Sequence, residues 1–248
     1  VYKPLARLSG LLSIALLLGG LLVLVLDLGR PDRLIVAMTT FNFRSIFAWN
    51  IFLYTGFMLL IAVYLWVMLE PRMNRYVGAV GVLAFSWRLV LTTGTGSIFA
   101  LLVAREAYDT VIMVPLFILH SLSLGTAVFL LIAGAAFRSV GASFDPVLLQ
   151  RLSRLLGWFV VAVLCMVAIY HLANLYIEGR HEFERFILQE GGVYTGLFWG
   201  GQVILGSLVP AYLLFQRKNV HLPRVLLAAA LVVFGGFAQI YVLIIGGQ

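Results

Sequence analysis

The sequence predicts an all-α polytopic transmembrane helix bundle. Two observations carry that prediction. Apolar residues make up 62% of the 248 residues and charged ones only 11%, whereas a soluble domain runs nearer half and a quarter. No soluble fold of this length buries so much apolar side chain, so its solvent is lipid. The apolar residues also gather into seven runs long enough to cross ~30 Å of hydrocarbon. They are continuous runs rather than short alternations, which argues against a β-barrel.

In order, the runs cover about 5–26, 46–69, 77–104, 111–136, 154–178, 193–215 and 223–245. The first follows Val1 almost at once, with no cleavage-site pattern, so the chain reads as a longer protein lacking its first residues. The third is too long for one straight span. It contains Thr92-Thr93-Gly94-Thr95-Gly96-Ser97, which reads either as a break in the helix or as a packing contact with its hydroxyls bonded back. No repeat or soluble domain is visible, and residues 1–248 read as one integral membrane helical domain.

Loop charges give an orientation. One side carries Lys3, Arg7, Arg72, Arg75, Arg138, Arg151, Arg154, Arg217, Lys218 and Arg224 against Glu70 and Asp145. The other carries Arg30, Arg33, Arg44, Arg105, Arg180 and Arg185 against Asp27, Asp32, Glu106, Asp109, Glu178, Glu182, Glu184 and Glu190. The positive-inside bias then puts the N-terminus as given in the cytoplasm and the C-terminus outside. It also explains the net charge of +7 as topology and anionic lipid contact rather than nucleic-acid binding. Asp27-Leu28-Gly29-Arg30-Pro31, Asn42-Phe43-Arg44-Ser45 and Ala104-Arg105-Glu106 fall on the outer side. They suit a partner-docking surface or ordinary capped turns.

Ionisable groups within the apolar runs are few, and each is costly there. Arg88 lies ~16 Å into the third run, with no acid at its depth. It fits either a ligand contact or a structural hydrogen-bond hub. His120 and His171 lie ~10–14 Å below the outer surface. Asn174 follows His171 on the same helix face, and Glu178 follows at the membrane edge; Tyr170 points away. A histidine, an amide and a carboxylate on one face suit a quinone: two hydrogen-bond partners for its oxygens and a carboxylate to pass protons to water. The same residues also suit plain interhelical hydrogen bonds. A haem b held by His120 and His171 is a further reading, weakened by the lack of glycine beside them. All ten acids map to loops or helix ends, which argues against a complete proton path. The single cysteine, Cys165, excludes disulfides and iron–sulfur ligation within the chain, and reads as a small core hydrophobe. Phosphate-binding GxxxxGK[ST], HExxH and GxSxG motifs are absent.

Four segments in order carry a resemblance. They are LDLGRPDR at 26–33, NFRSIFAWN at 42–50, TGTGSIFALLVAREAYDTVIMVPLF at 93–117, and the pair FWGGQVILGSLVP at 198–210 with the terminal IIGGQ. Together they resemble the NrfD/PsrC family of membrane subunits, most closely its DsrP branch and more distantly the HybB-type. The resemblance implies a quinone-interacting subunit of a respiratory complex, using menaquinone or ubiquinone and holding no haem or iron–sulfur cluster itself. It implies electron exchange with a ferredoxin-like iron–sulfur subunit on the outer face, here in dissimilatory sulfur metabolism. It implies a quinone pocket that includes Thr93, Gly94 and Thr95. To these our reading of depth and facing adds Arg88, His171 and Asn174, with Glu178 as proton exit. Asp27, Arg30, Arg44 and Arg105 are the candidate docking residues.

The chain also departs from the family pattern. Gln202 stands where the family often has Glu, and Gln239 lies near where it often has Arg. Family members carry helices before the LDLGRP helix, so the seven runs read as part of an eight- to ten-helix subunit. The competing classes are a redox-inert anchor or scaffold and a secondary transporter, the latter disfavoured by the lack of a repeat.

Overall fold

The computed structural model describes residues 3–27, 39, 43–102, 108, 110–216 and 221–247. Among them are seven helices long and apolar enough to cross a membrane. Contacts group the chain into two compact units, Val1–Ile98 and Phe99–Gln248.

The first unit holds α1 (Lys3–Asp27), α2 (Ile46–Leu69) and most of α3 (Val77–Ala100). Its core is Leu17, Phe57, Ile61, Ala84 and Leu91. Gly56 lets the Trp87 ring lie against α2: a Cβ there would stand 2.4 Å from Trp87 Cζ2. The indole then donates to the Leu53 carbonyl at 3.0 Å. Arg7 donates to the Met68 carbonyl at the end of α2 (3.2 Å), filling one of the acceptors a helix terminus leaves open. A 3-10 turn, Pro71–Tyr76, leads into α3.

α3 is unbroken, which corrects the reading of an interruption at 92–97. Thr92, Thr93, Thr95 and Ser97 donate to the carbonyls of Arg88, Leu89, Leu91 and Thr93 at 2.8–3.0 Å. Each hydroxyl is satisfied by its own helix, so polar composition does not unwind it.

The second unit holds α4 (Met113–Ser139), α5 (Pro146–Tyr176), α6 (Val193–Phe215) and α7 (Leu222–Gly246). α4 closes on Gly141, whose φ of +68° only glycine adopts cheaply. α5 starts at Pro146 rather than near 154, because Asp145 caps it by accepting from Val147 N–H at 3.0 Å with Pro146 in its first turn. Its polar first turns had hidden that start. α6 is π-helical over Leu197–Leu208, a register frequent at functional sites but rarely so long.

α6 and α7 touch backbone to backbone. A Cβ on Gly206 would stand 2.4 Å from the Gly235 Cα, and one on Gly235 2.2 Å from the Gly206 Cα. Gly134 and Gly236 similarly admit Leu226 and Leu124. In lipid such close van der Waals contact replaces hydrophobic attraction between helices. Cys165 is exposed on α5, which corrects its assignment to the core. The geometry predicts that Gly235→Leu prises α7 from α6. Size-exclusion of the detergent-solubilised variant should show loss of the monodisperse folded peak, and a wild-type profile would disprove the contact.

Candidate functional site

α5 ends at Tyr176, two residues past Asn174 and five past His171. Ile177 is extended, and a 3-10 turn (Glu178–Arg180) followed by a short helix (His181–Arg185) folds the chain back. His181 donates to the Leu175 carbonyl at 2.7 Å and secures the reversal. The connector is then pinned to α6: Trp199 donates to the Leu188 carbonyl and Thr195 to that of Phe186. Phe183 and Ile187 turn into the core, one helical turn apart. Glu184 lies between them and is carried in with them.

Glu184 is fully buried. Its Oε2 stands 2.6 Å from His171 Nδ1 and its Oε1 accepts from Asn174 Nδ2 at 2.8 Å. Arg180 donates to Asn174 Oδ1 at 2.9 Å, so the amide bridges a cation and an anion. Tyr170 adds a further hydrogen bond to Asn174. A carboxylate only accepts, so His171 carries its proton on Nδ1 and Nε2 is left as the reactive nitrogen. Both Glu184 oxygens thus have partners, and the Asn174 amide links the acid to Arg180, which is how it persists at this depth.

These contacts correct two expectations. The carboxylate beside His171 and Asn174 is Glu184; Glu178 is exposed beyond the end of α5. Not every acid is a solvated loop acid either. The pattern Phe183, Glu184, Ile187 was the signal for this: an acid sharing a helical face with two core residues.

His171 lines a recess with Leu116, Tyr170, Phe183, Ile187, Phe198, Gln202, Gln239, Val242 and Leu243. It measures about 290 Å³ counted out to its open mouth. Like ligand pockets, it is mostly apolar with a few polar groups. The Phe198 ring meets the His171 ring edge to face at 4.7 Å. A second recess lies farther in, at His120, Ser123, Gln202, Ser207 and Gln239. Gln202 and Gln239 line both.

The remaining sequence candidates belong to the first unit or lie outside the described residues. Arg88, Thr93 and Thr95 are on α3; the Arg88 guanidinium stands 5.5 Å from the Phe57 ring centroid, a cation–π contact. Gly94 faces the Asn50 amide oxygen, which a Cβ would approach to 3.0 Å. Asn50 Oδ1 is itself buried without a hydrogen-bond partner. Arg44 is exposed in the turn before α2, and Asp27 is the last residue of α1. Arg30 and Arg105 lie outside the described residues.

A family model described as polysulphide reductase, NrfD, matches residues 1–248. The chain is 28% identical over 254 residues to an Hdr-like menaquinol oxidoreductase integral membrane subunit of Archaeoglobus fulgidus, covering 100% of this chain and 62% of that one. It is 29% identical to a putative dimethyl sulfoxide reductase membrane subunit of Halobacterium salinarum, over 94% of this chain and 59% of that one. It is 23% identical to a selenate reductase subunit of Mesobacillus selenatarsenatis, over 83% and 57%. The chain thus spans 57–62% of the length of these curated relatives.

Removing Glu184 strands a buried imidazole N–H and an amide. Glu184→Ala should cost about 3–5 kcal/mol, whereas Glu178→Ala should cost under about 0.5 kcal/mol. Thermal unfolding of the two variants in detergent checks this, and equal melting temperatures would refute the network.

Proposed function

We propose, for a chain that belongs to the NrfD family, that it is the quinone-reactive membrane subunit of a respiratory oxidoreductase complex. The observation that carries the reading is the buried Glu184–His171 pair on the wall of an apolar recess. A quinone ring sits at the mouth of that recess, and His171 Nε2 faces one of its oxygens. Written as oxidation, a hydroquinone yields a quinone, two protons and two electrons. His171 takes a proton as general base, and Glu184 stabilises the imidazolium that results. Asn174 spends its amide on Glu184, Arg180 and Tyr170, so it positions the pair. Exposed Glu178 is the carrier outward.

The wider reading rests on the resemblance and the relatives. The quinone is menaquinone, in keeping with the menaquinol oxidoreductase subunit among the relatives. Electrons cross to a ferredoxin-like iron–sulfur subunit on the outer face, with Asp27, Arg30, Arg44 and Arg105 as its candidate docking residues. The N-terminus as given lies in the cytoplasm and the C-terminus outside, in the cell membrane. The process served is dissimilatory sulfur metabolism, as for the DsrP branch. On α3 the resemblance implies quinone contacts at Thr93, Gly94 and Thr95, and depth in the membrane adds Arg88 as a candidate. Their threonine hydroxyls donate to the helix, so they serve a bound hydroquinone only as acceptors.

The test uses the purified complex with menadiol as donor. His171→Gln should lower turnover by about 10²–10⁴-fold, and Asn174→Leu should lower it less, with quinol-analogue affinity changed little in either. Unchanged turnover in His171→Gln would dismiss the site. Wild-type protein that binds no quinol analogue would leave the chain an anchor.

A further inference from the structure

We propose that the inner recess holds bound water and that His120 accepts a proton through it. The inference rests on the quinone reading above and extends it inward.

Four elements meet there, and each brings either a polar side chain or a wall. α4 brings His120 and Ser123, α6 brings Gln202 and Ser207, α7 brings Gln239, and α5 closes the side with Val160 and Val163. Ser123, Gln202, Ser207 and Gln239 are all more than nine-tenths buried. The Gln239 Oε1 lies buried with no hydrogen-bond partner. An unmet acceptor at such a place costs about 1–3 kcal/mol, which a water molecule removes. The recess has room for a water molecule. Polar partners for that water stand on three helices.

His120 is set up to receive a proton. Its Nδ1 lies 3.1 Å from the Leu116 carbonyl. A carbonyl only accepts, so Nδ1 carries the hydrogen and Nε2 keeps a lone pair. The Gln239 side chain lies within reach of the ring, but its Oε1 makes no hydrogen bond of normal geometry to it. Every other described residue lining the recess is neutral, being serine, glutamine, glycine, valine or leucine, so among them no acid pairs with a proton on His120. Gln202 and Gln239 line both recesses, so they link His171 to His120 through amides and water. The π-helical register of α6 serves this arrangement, with Ser207 donating to the Gln202 carbonyl at 3.0 Å. Of the two protons a hydroquinone releases, the His171–Glu184 pair takes one and His120 takes the other. The two electrons leave one after the other to the iron–sulfur subunit, whose one-electron centre is reoxidised between them.

Three variants of the complex test the proposal, with menadiol turnover, quinol-analogue binding and a water-resolving map as readouts. His120→Gln keeps a polar side chain but cannot titrate. It should keep the water and bind the analogue within about twofold, yet lose about a hundredfold in turnover. Gln239→Leu should lose the water and most of the turnover. Arg151→Gln, in the exposed first turns of α5, should leave both the water and the turnover unchanged. Full turnover in His120→Gln, or a map with no density beside Gln239 Oε1, would overturn the proposal. Lost analogue binding in His120→Gln would also overturn it, by making His120 a quinone ligand. Failure of the wild type to bind the analogue would remove the quinone reading and leave the water site to be judged by the map alone.

Discussion

Inside hydrocarbon a backbone amide has no partner but the carbonyl of its own helix. Much of this molecule stems from that constraint. It keeps α3 helical through two glycines and a run of hydroxyls, because unwinding would strand backbone groups that those hydroxyls cannot all satisfy. It shapes α6, which departs from α-helical register over Leu197–Leu208 yet keeps its backbone bonded in the π pattern. It places chain reversals where side chains cover the open ends, as Arg7 covers α2 and His181 covers α5.

A second constraint acts on charge. An acid away from water survives only with partners on both oxygens. Glu184 has His171 on one and Asn174 on the other, with Arg180 behind the amide. The connector 178–190 thereby gains a fixed path, because Phe183 and Ile187 must be buried on the same side as the acid. One short segment thus joins local helix geometry, core packing and the chemistry of an imidazole.

The helices were legible in the sequence because each depends on length and apolarity alone. Observed bounds depart from the expected ones chiefly at α5, whose first turns carry Gln150, Arg151 and Arg154 and fall outside an apolar window. His171 and Asn174 were legible for a similar reason: their spacing of three places them on one face. Glu184 was hidden, because a carboxylate between two membrane runs counts as a loop charge until the reversal of the chain is known. The Thr/Gly stretch misled in the opposite sense. Its composition resembles that of an unwound segment, and only the choice of hydrogen-bond acceptor separates the two, which no residue count reveals. Gln202 and Gln239 stood out as departures from a family pattern, but their shared place between two recesses is a product of helix packing.

The π-helical stretch has a consequence for how this chain changes over time. Each residue of an α-helix turns the chain by about 100°, and a π register absorbs extra residues without moving the remainder of the helix. Deleting a single residue between Leu197 and Leu208 would return that part of α6 toward α-helical winding and rotate Gln202 and Gly206 relative to one another. The amide would leave the recesses, or the glycine would leave Gly235. Point substitutions are open to this segment away from Gly206 and Gln202; changes of length are not, and lineages carrying the same pair of contacts should carry a segment of the same length.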